Sequence, residues 1–138
     1  MRQIFLIMIG LSIAVNANFT KNGNIVIDNT TGLQWQDDEV GNSMEWEEAI
    51  RHCEELELDE YSDWRVPNIN EFKTIVDRSK YNLAIVEELE HTSSYYYWSS
   101  TTYESSKNYA WYVYFRSGFT DNDSKSNSYY VRCVRAGQ

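Results

Sequence analysis

The sequence predicts an α+β domain, and three observations carry that prediction. Residues Trp46, Ala49, Ile50, Cys53 and Leu56 recur at helical spacing and form one apolar stripe. From about Tyr95 onward the character changes to short runs rich in aromatic and β-branched residues, separated by polar stretches, which is the pattern of strands. The only two cysteines, Cys53 and Cys133, fall one in the helical half and one in the last strand candidate.

The elements follow in order. The first seventeen residues read as a secretory signal peptide: Arg2 supplies the positive end, Ile4 to Val15 is apolar, and Val15-Asn16-Ala17 is a small-residue cleavage site. Such a run rises only about 18 Å as a helix, short of the roughly 30 Å hydrocarbon core, so a retained transmembrane segment is not expected. Residues 18–138 then form one domain, with no repeat, linker or low-complexity tract to divide it. Ile25-Val26-Ile27 and Leu33-Gln34-Trp35 are strand candidates joined by the turn-rich Asp28-Asn29-Thr30-Thr31-Gly32. Asn42 or Ser43 is the expected cap of the first helix, with Glu45 three residues after Asn42 as in a capping box. A second helix is expected after Pro67, with Asn68 as cap, Glu71 three residues on, and Ile69, Phe72, Ile75 and Val76 as the buried face. Tyr96-Tyr97-Trp98, Tyr109 to Phe115 and Tyr129 to Val134 are the strand candidates of the second half. In the middle one, Trp111, Val113 and Phe115 alternate with Tyr112 and Tyr114, which predicts one buried face and one partly wet.

Charge and cysteine usage narrow the function classes. Without the leader the chain carries eleven basic and twenty-one acidic residues, net −10. Residues 18–91 are net −12 and residues 92–138 net +2, so a nucleic acid would be repelled by the whole and is not expected as a partner. Two cysteines in an exported chain suggest one disulfide closing about eighty residues. Two buried free thiols, or a zinc site with His52 or His91, are the alternatives.

Several residues invite a catalytic reading and have a plainer one beside it. Asp63, Trp64, Arg65 and Glu71 resemble a charged site, yet Arg65 paired with a carboxylate while Trp64 packs would simply hold the turn through Pro67 into the second helix. Trp98-Ser99-Ser100 offers hydroxyls, but a serine nucleophile needs an adjacent base, and no Gly-x-Ser-x-Gly or His-Glu-x-x-His run is present. The many acidic residues would produce some glycosidase-like pair by chance. Asp121-Asn122-Asp123-Ser124 opens like a calcium loop, but Ser126 and Arg132 stand where an EF-hand needs glycine and an acid. A solvated turn is the ordinary reading there, with a looser Ca2+ site on Asp121 and Asp123 as the alternative. No catalytic residue and no resident metal or cofactor is therefore expected.

Recognition is expected on the two polar segments leaving the aromatic sheet, Thr101 to Asn108 and Arg116 to Ser128. Tyr103, Tyr109 and Tyr112 would stack on a ligand ring while Asn108, Arg116, Asp121 and Asn122 hydrogen-bond it.

Taken in order, Thr31-Gly32-Leu33-Gln34-Trp35, Trp46-Glu47-Glu48-Ala49 with Cys53, Asp63-Trp64-Arg65-Val66-Pro67 with Glu71, Tyr97-Trp98-Ser99-Ser100 and Val131-Arg132-Cys133-Val134-Arg135 resemble the Lcl C-terminal domain family. That family is bacterial, was formerly catalogued as a domain of unknown function, and is named for the end domain of a collagen-like adhesin. The resemblance implies a C-type-lectin-like fold: two helices packed on a twisted antiparallel sheet, with a helix-to-last-strand disulfide onto which Cys53 and Cys133 map. It makes Trp35, Trp46, Asp63, Trp64, Arg65, Pro67, Glu71, Trp98, Ser99 and Arg132 structural. It further implies a periplasmic, secreted or cell-surface binding module, an adhesin recognising glycan or a surface protein. The alternatives are an assembly subunit of an envelope or fimbrial complex, or an enzyme related to the formylglycine-generating enzymes. The chain lacks a Gly-X-Y stalk, having six glycines in all, and lacks the Glu-Pro-Asn and Trp-Asn-Asp runs of calcium-dependent sugar-binding lectins. Neither stalk-driven trimerisation nor sugar binding at calcium carries over.

Overall fold

The computed structural model describes residues 18–137, so the expected signal peptide, 1–17, lies outside the described residues. Seven strands and two helices are described: β1 (Phe19–Asn22), β2 (Ile25–Asp28), β3 (Gln34–Gln36), α1 (Trp46–Glu54), α2 (Ile69–Lys73), β4 (Tyr96–Thr102), β5 (Tyr109–Tyr114), β6 (Phe119–Ser124) and β7 (Val134–Arg135). The class is α+β as predicted, but the strands make two antiparallel sheets rather than one, ordered β1-β2-β3-β7 and β4-β5-β6.

The first sheet grows from local turn chemistry. Asn22 pairs with Ile25 across Gly23 and Asn24, and Gly23 takes the positive φ such a tight connection needs (65°). The Asp28 side chain accepts from the amides of Thr30 (2.9 Å) and Thr31 (3.3 Å), while its backbone receives Gly32 N–H at 2.8 Å, so the predicted β2–β3 hairpin closes on an Asx turn. β7 then pairs with β3, Trp35 opposite Val134.

The capping box predicted for α2 is present: Asn68 Oδ1 accepts from Glu71 N at 2.7 Å, and the Glu71 carboxylate accepts from Asn68 N at 2.9 Å. The cap expected at Asn42 or Ser43 is not. α1 starts at Trp46 behind Glu45, which makes no side-chain cap. The reason is tertiary: Met44 exchanges both backbone hydrogen bonds with Tyr129 (2.8 and 3.0 Å), so the chain is extended there, and Trp46 N donates to Lys125 O at 3.1 Å. The helix cannot begin until that pairing ends.

Three apolar clusters hold the layers together. Val26 and Trp35 of the first sheet, Phe72 and Ile75 of the α2 region, Tyr97 and Val113 of the second sheet, and Phe115 just past β5 meet in the main core. Ile25, Trp64 and Val66 pack around the Cys53–Cys133 disulfide, which joins residues with Cα atoms 5.6 Å apart and 80 apart in sequence. Ala49 is small enough to let α1 approach Trp98 and Ala110 on the second sheet. The predicted stripe of α1 is thus shared between two clusters.

The motif residues make defined contacts. Arg65 makes a bidentate pair with Glu71 (2.7 and 2.8 Å), which also forms the α2 cap. Trp64 is buried and donates to Tyr61 O at 3.1 Å. Asp63 pairs with Arg135 (2.6 and 3.1 Å), and Pro67 is buried, its carbonyl receiving Ser100 N at 2.8 Å. Trp46 and Trp98 donate to the carbonyls of Ser99 (2.8 Å) and Met44 (3.0 Å).

Arg132 sits at the centre of a buried ionic cluster. It is 3% exposed and donates to Gln36 O, Asp37 Oδ1 (3.3 Å), His91 O (2.6 Å) and Thr92 Oγ1 (2.7 Å). The Asp37 side chain is fully buried and is also bonded by Lys21 and by the amides of His91 (2.9 Å) and Glu90 (3.3 Å). Burial alone would push the Asp37 carboxyl up; Lys21, the His91 amide and Arg132 outweigh it and hold it below the ordinary range.

Two strand boundaries differ from expectation. The predicted strand Tyr129 to Val134 is a strand only at Val134–Arg135, while Tyr129 and Tyr130 make single bridges to Met44 and Tyr97. The chain crosses between the sheets here, and a segment that changes partners cannot keep one ladder. Conversely, the segment Arg116 to Ser128, expected as a loop, contains β6, paired along its whole length with β5. Phe119-Thr120-Asp121-Asn122-Asp123-Ser124 has little intrinsic strand preference, and pairing with β5 decides its conformation.

Candidate functional site

The β4-β5-β6 sheet has one face in the core and the other largely open. Cross-strand partners share a face, so the open side is read from the register: Tyr96 with Tyr114, Trp98 with Tyr112, Tyr112 with Asp121, Tyr114 with Phe119 and Ala110 with Asp123. At one end α1 covers Trp98 and Ala110. Beyond it lies a layer of half-buried tyrosines: Tyr96 stacks on Tyr112 with ring centroids 4.4 Å apart and meets Tyr114 at 4.8 Å and Tyr129 at 5.0 Å edge-on.

Two carboxylates border this layer. The Tyr129 hydroxyl donates to Asp123 Oδ2, and Asp121 stands opposite Tyr112. Burial, the neighbouring Tyr96 and the charges of Asp121 and Asp123 push the Tyr112 hydroxyl up to about 12. Burial and the bond to Asp123 likewise raise Tyr129. Asp123 is lowered, because the bonds from Tyr129, Ser124 N and Asn127 outweigh its own burial. These phenols stay protonated donors at neutral pH.

Beside the layer, where β4 begins, a cleft of about 310 Å³ is lined by Ser43, Tyr95, Tyr96, Ser128, Tyr129 and Tyr130. Its walls come from three chain segments: the Met44 neighbourhood, the start of β4, and the Tyr129–Tyr130 stretch bridged to both. Tyr95 is 62% exposed and lies parallel to Tyr130, centroids 6.3 Å apart.

The residues expected to bind do not converge on one spot. Tyr112 and Asp121 share the open face, whereas Asn122 is paired with Trp111 on the opposite side. Tyr103, Asn108 and Tyr109 cluster at the β4–β5 turn, with Tyr103 edge-on to Trp111 at 5.5 Å. Arg116 is at the other end, its Nε donating to Tyr81 Oη at 3.1 Å. Tyr109 and Tyr114 alone are roughly 17 Å apart along β5 at the rise of a strand, and Arg116 lies further on. No single sugar ring spans that distance, so the seven residues fall in four separate places.

Tyr95, Tyr96, Tyr129, Tyr130, Ser43 and Ser128 were not singled out by the sequence as a site. A signal for them exists in the runs Tyr95-Tyr96-Tyr97 and Tyr129-Tyr130. Neighbouring strand residues point to opposite faces, so consecutive aromatics place rings outside as well as in the core.

In the serine motif, Ser99 is fully buried and its Oγ donates to Trp111 O at 2.7 Å. Asp121 and Asp123 lie on a strand rather than a turn and accept from the amides of Asn122 (2.8 Å) and Ser124 (2.7 Å). Among the described residues, no three His, Cys, Asp or Glu side chains gather as a metal would require. Nor is any described helix long and apolar enough to cross a membrane.

No curated protein matches the chain. The family description Lcl C-terminal domain matches residues 24–135, which take in the disulfide and every described element except β1. The chain belongs to the Lcl C-terminal domain family.

Proposed function

We propose that this protein is an exported, non-catalytic recognition domain of C-type-lectin-like architecture, an adhesin-like module that binds a glycan or a surface protein through the open tyrosine face of its second sheet. The observation that carries this is the solvent-facing layer of Tyr96, Tyr112, Tyr114 and Tyr129 beside the Tyr95 cleft. Tyrosine presents a large, stiff contact surface with a polar tip, which suits recognition. The disulfide fits an oxidising compartment, the periplasm or beyond. It also occupies both cysteines, leaving no thiol for chemistry of the formylglycine-generating type. The test is a glycan array and a parallel pull-down of envelope and host surface proteins with the purified oxidised protein, with and without calcium. Reproducible binding weakened by substitutions on the tyrosine face is expected; a blank array together with an empty pull-down refutes the reading.

An assembly subunit is the second reading, and one observation favours it. At the far end of the same sheet Phe119 and Tyr81 are 63% and 67% exposed, with Arg78 and Arg116 lying over their rings. Exposed Tyr, Phe and Arg are the composition of protein-contact hot spots. Light scattering across a concentration series separates the two: a protein that stays monomeric and binds a ligand supports recognition, and self-assembly lost on Phe119→Ser supports the subunit.

A further inference from the structure

We infer that the cleft formed by Tyr95, Tyr96, Tyr129, Tyr130, Ser43 and Ser128 is a slot for one neutral pyranose ring. The inference rests on the recognition reading above and names its ligand class and place. Its volume, about 310 Å³, is at the small end of ligand sites and suits one ring rather than an extended chain. Every one of the six lining residues carries a hydroxyl, and none carries a charge. Four offer an aromatic face as well.

That combination selects among ligand chemistries. A pyranose has a face of axial C–H groups that lies on an aromatic ring and an equatorial rim of hydroxyls that donate and accept. An alkyl or lipid chain would cover the rings but leave the hydroxyls it displaces from water without partners, at a cost for each. A charged group would find no counter-ion in the lining. An anionic sugar is further disfavoured by Asp121 and Asp123 along the same face. Ser43, Ser128 and the Tyr95 hydroxyl make no side-chain hydrogen bond among the described residues and are available to a ligand. Tyr129 is oriented by Asp123 and Tyr96 by its ring stack on Tyr112, so the floor is rigid before anything binds. Tyr95 is the outer wall, the most exposed of the four and in contact with Tyr130.

The test is a ¹H–¹⁵N NMR titration of the oxidised protein with methyl glycosides of glucose, galactose, mannose, fucose, N-acetylglucosamine and N-acetylgalactosamine, with glucuronic acid and an alkyl glycol as controls. We expect at least one neutral glycoside to give saturable shifts confined to residues around 43, 95, 96 and 128–130, with Kd on the order of 1 mM as befits a single ring. The shifts should be insensitive to salt. Tyr95→Ala should weaken binding about tenfold, the size of one lost aromatic contact. Tyr95→Phe keeps the ring and should stay within about threefold, while Ser128→Ala should weaken binding by about threefold to tenfold. Because Tyr95 is exposed, neither of its variants should alter the rest of the spectrum, which also shows that the variant is folded. Silence across the neutral panel overturns the inference, as does tighter binding of glucuronic acid or an unchanged affinity in Tyr95→Ala. If an array or pull-down ligand binds but shifts other residues, the slot fails and the recognition reading stands. If no ligand of either kind binds, both fail.

Discussion

Replacement of Arg132 by methionine is the sharpest test of how the two sheets are joined. The side chain crosses from the closing segment into the Gln36–Asp37 corner and the His91–Thr92 segment, ninety-six residues from Gln36 in sequence. Methionine fills similar space but leaves two carbonyls, the buried Gln36 O and the part-buried His91 O, without this donor, and removes a guanidinium from the fully buried Asp37 carboxylate. Orphaned carbonyls cost about 1 kcal/mol each and a broken buried charge contact about 2 kcal/mol more, since Lys21 and two amides still hold Asp37. The expected loss is about 4 kcal/mol. Urea unfolding under non-reducing conditions, followed by tryptophan fluorescence, should show a midpoint about 2–3 M lower for an m-value near 1.5 kcal/mol/M. Arg132→Lys should recover less than half of the loss, because one ammonium cannot reach four separated acceptors. A double-mutant cycle with Asp37→Asn should show coupling of about 1–3 kcal/mol. A midpoint fall of less than about 0.7 M in Arg132→Met, equivalent to ~1 kcal/mol, would refute the reasoning.

Three further outcomes follow from the same structure. Cys53→Ala with Cys133→Ala opens a bridge between residues 80 apart, and loop-closure entropy puts the loss at about 4–5 kcal/mol, measured by chemical unfolding against the oxidised parent. Stability should fall with acid: Asp37 and Glu71 have folded pKa values below their unfolded ones, so their contribution is complete above about pH 4.5 and is lost as pH drops through the folded values. A flat profile of unfolding free energy between about pH 5 and pH 2 contradicts this, and Asp37→Asn should remove part of the slope. The edge strand β6 carries its own protection, because Asp121 and Asp123 accept from the outer amides of Asn122 and Ser124. The double variant Asp121→Ala/Asp123→Ala should lose about 1 kcal/mol yet self-associate at high concentration by light scattering, and a strictly monomeric variant argues against the role.

How much of this was legible in the sequence varied with the range of the interaction. Asn68 and Glu71 form the α2 cap because both partners lie within one helical turn, and Asp28 closes its hairpin through amides two and three residues away. Such short-range chemistry is written in spacing alone. The stripe of α1, the second helix, the disulfide and the Arg65 pair were likewise readable, since each is a pattern of residue types that has few other ways to be satisfied. The start of α1 was not, because Tyr129, eighty-five residues on, pairs with Met44 and holds the chain extended past Ser43. Nor was β6, whose polar residues become a strand only because β5 offers a ladder.

The site divides in the same way. The sequence determined that the protein would have more aromatic residues than one core face can hold, for tyrosines occur next to one another in two runs. Which of them face solvent, and which meet, depended on register. Tyr97 went inward against Phe115 while Tyr96 on its other side went outward onto Tyr112. Tyr129 and Tyr130 reached Tyr95 and Tyr96 only because the chain returns past β4 before crossing to β7. A cleft whose walls come from three distant segments has no sequence motif, because its shape is a property of packing between elements; the residue types that line it were fixed by the chain, and their convergence by the fold.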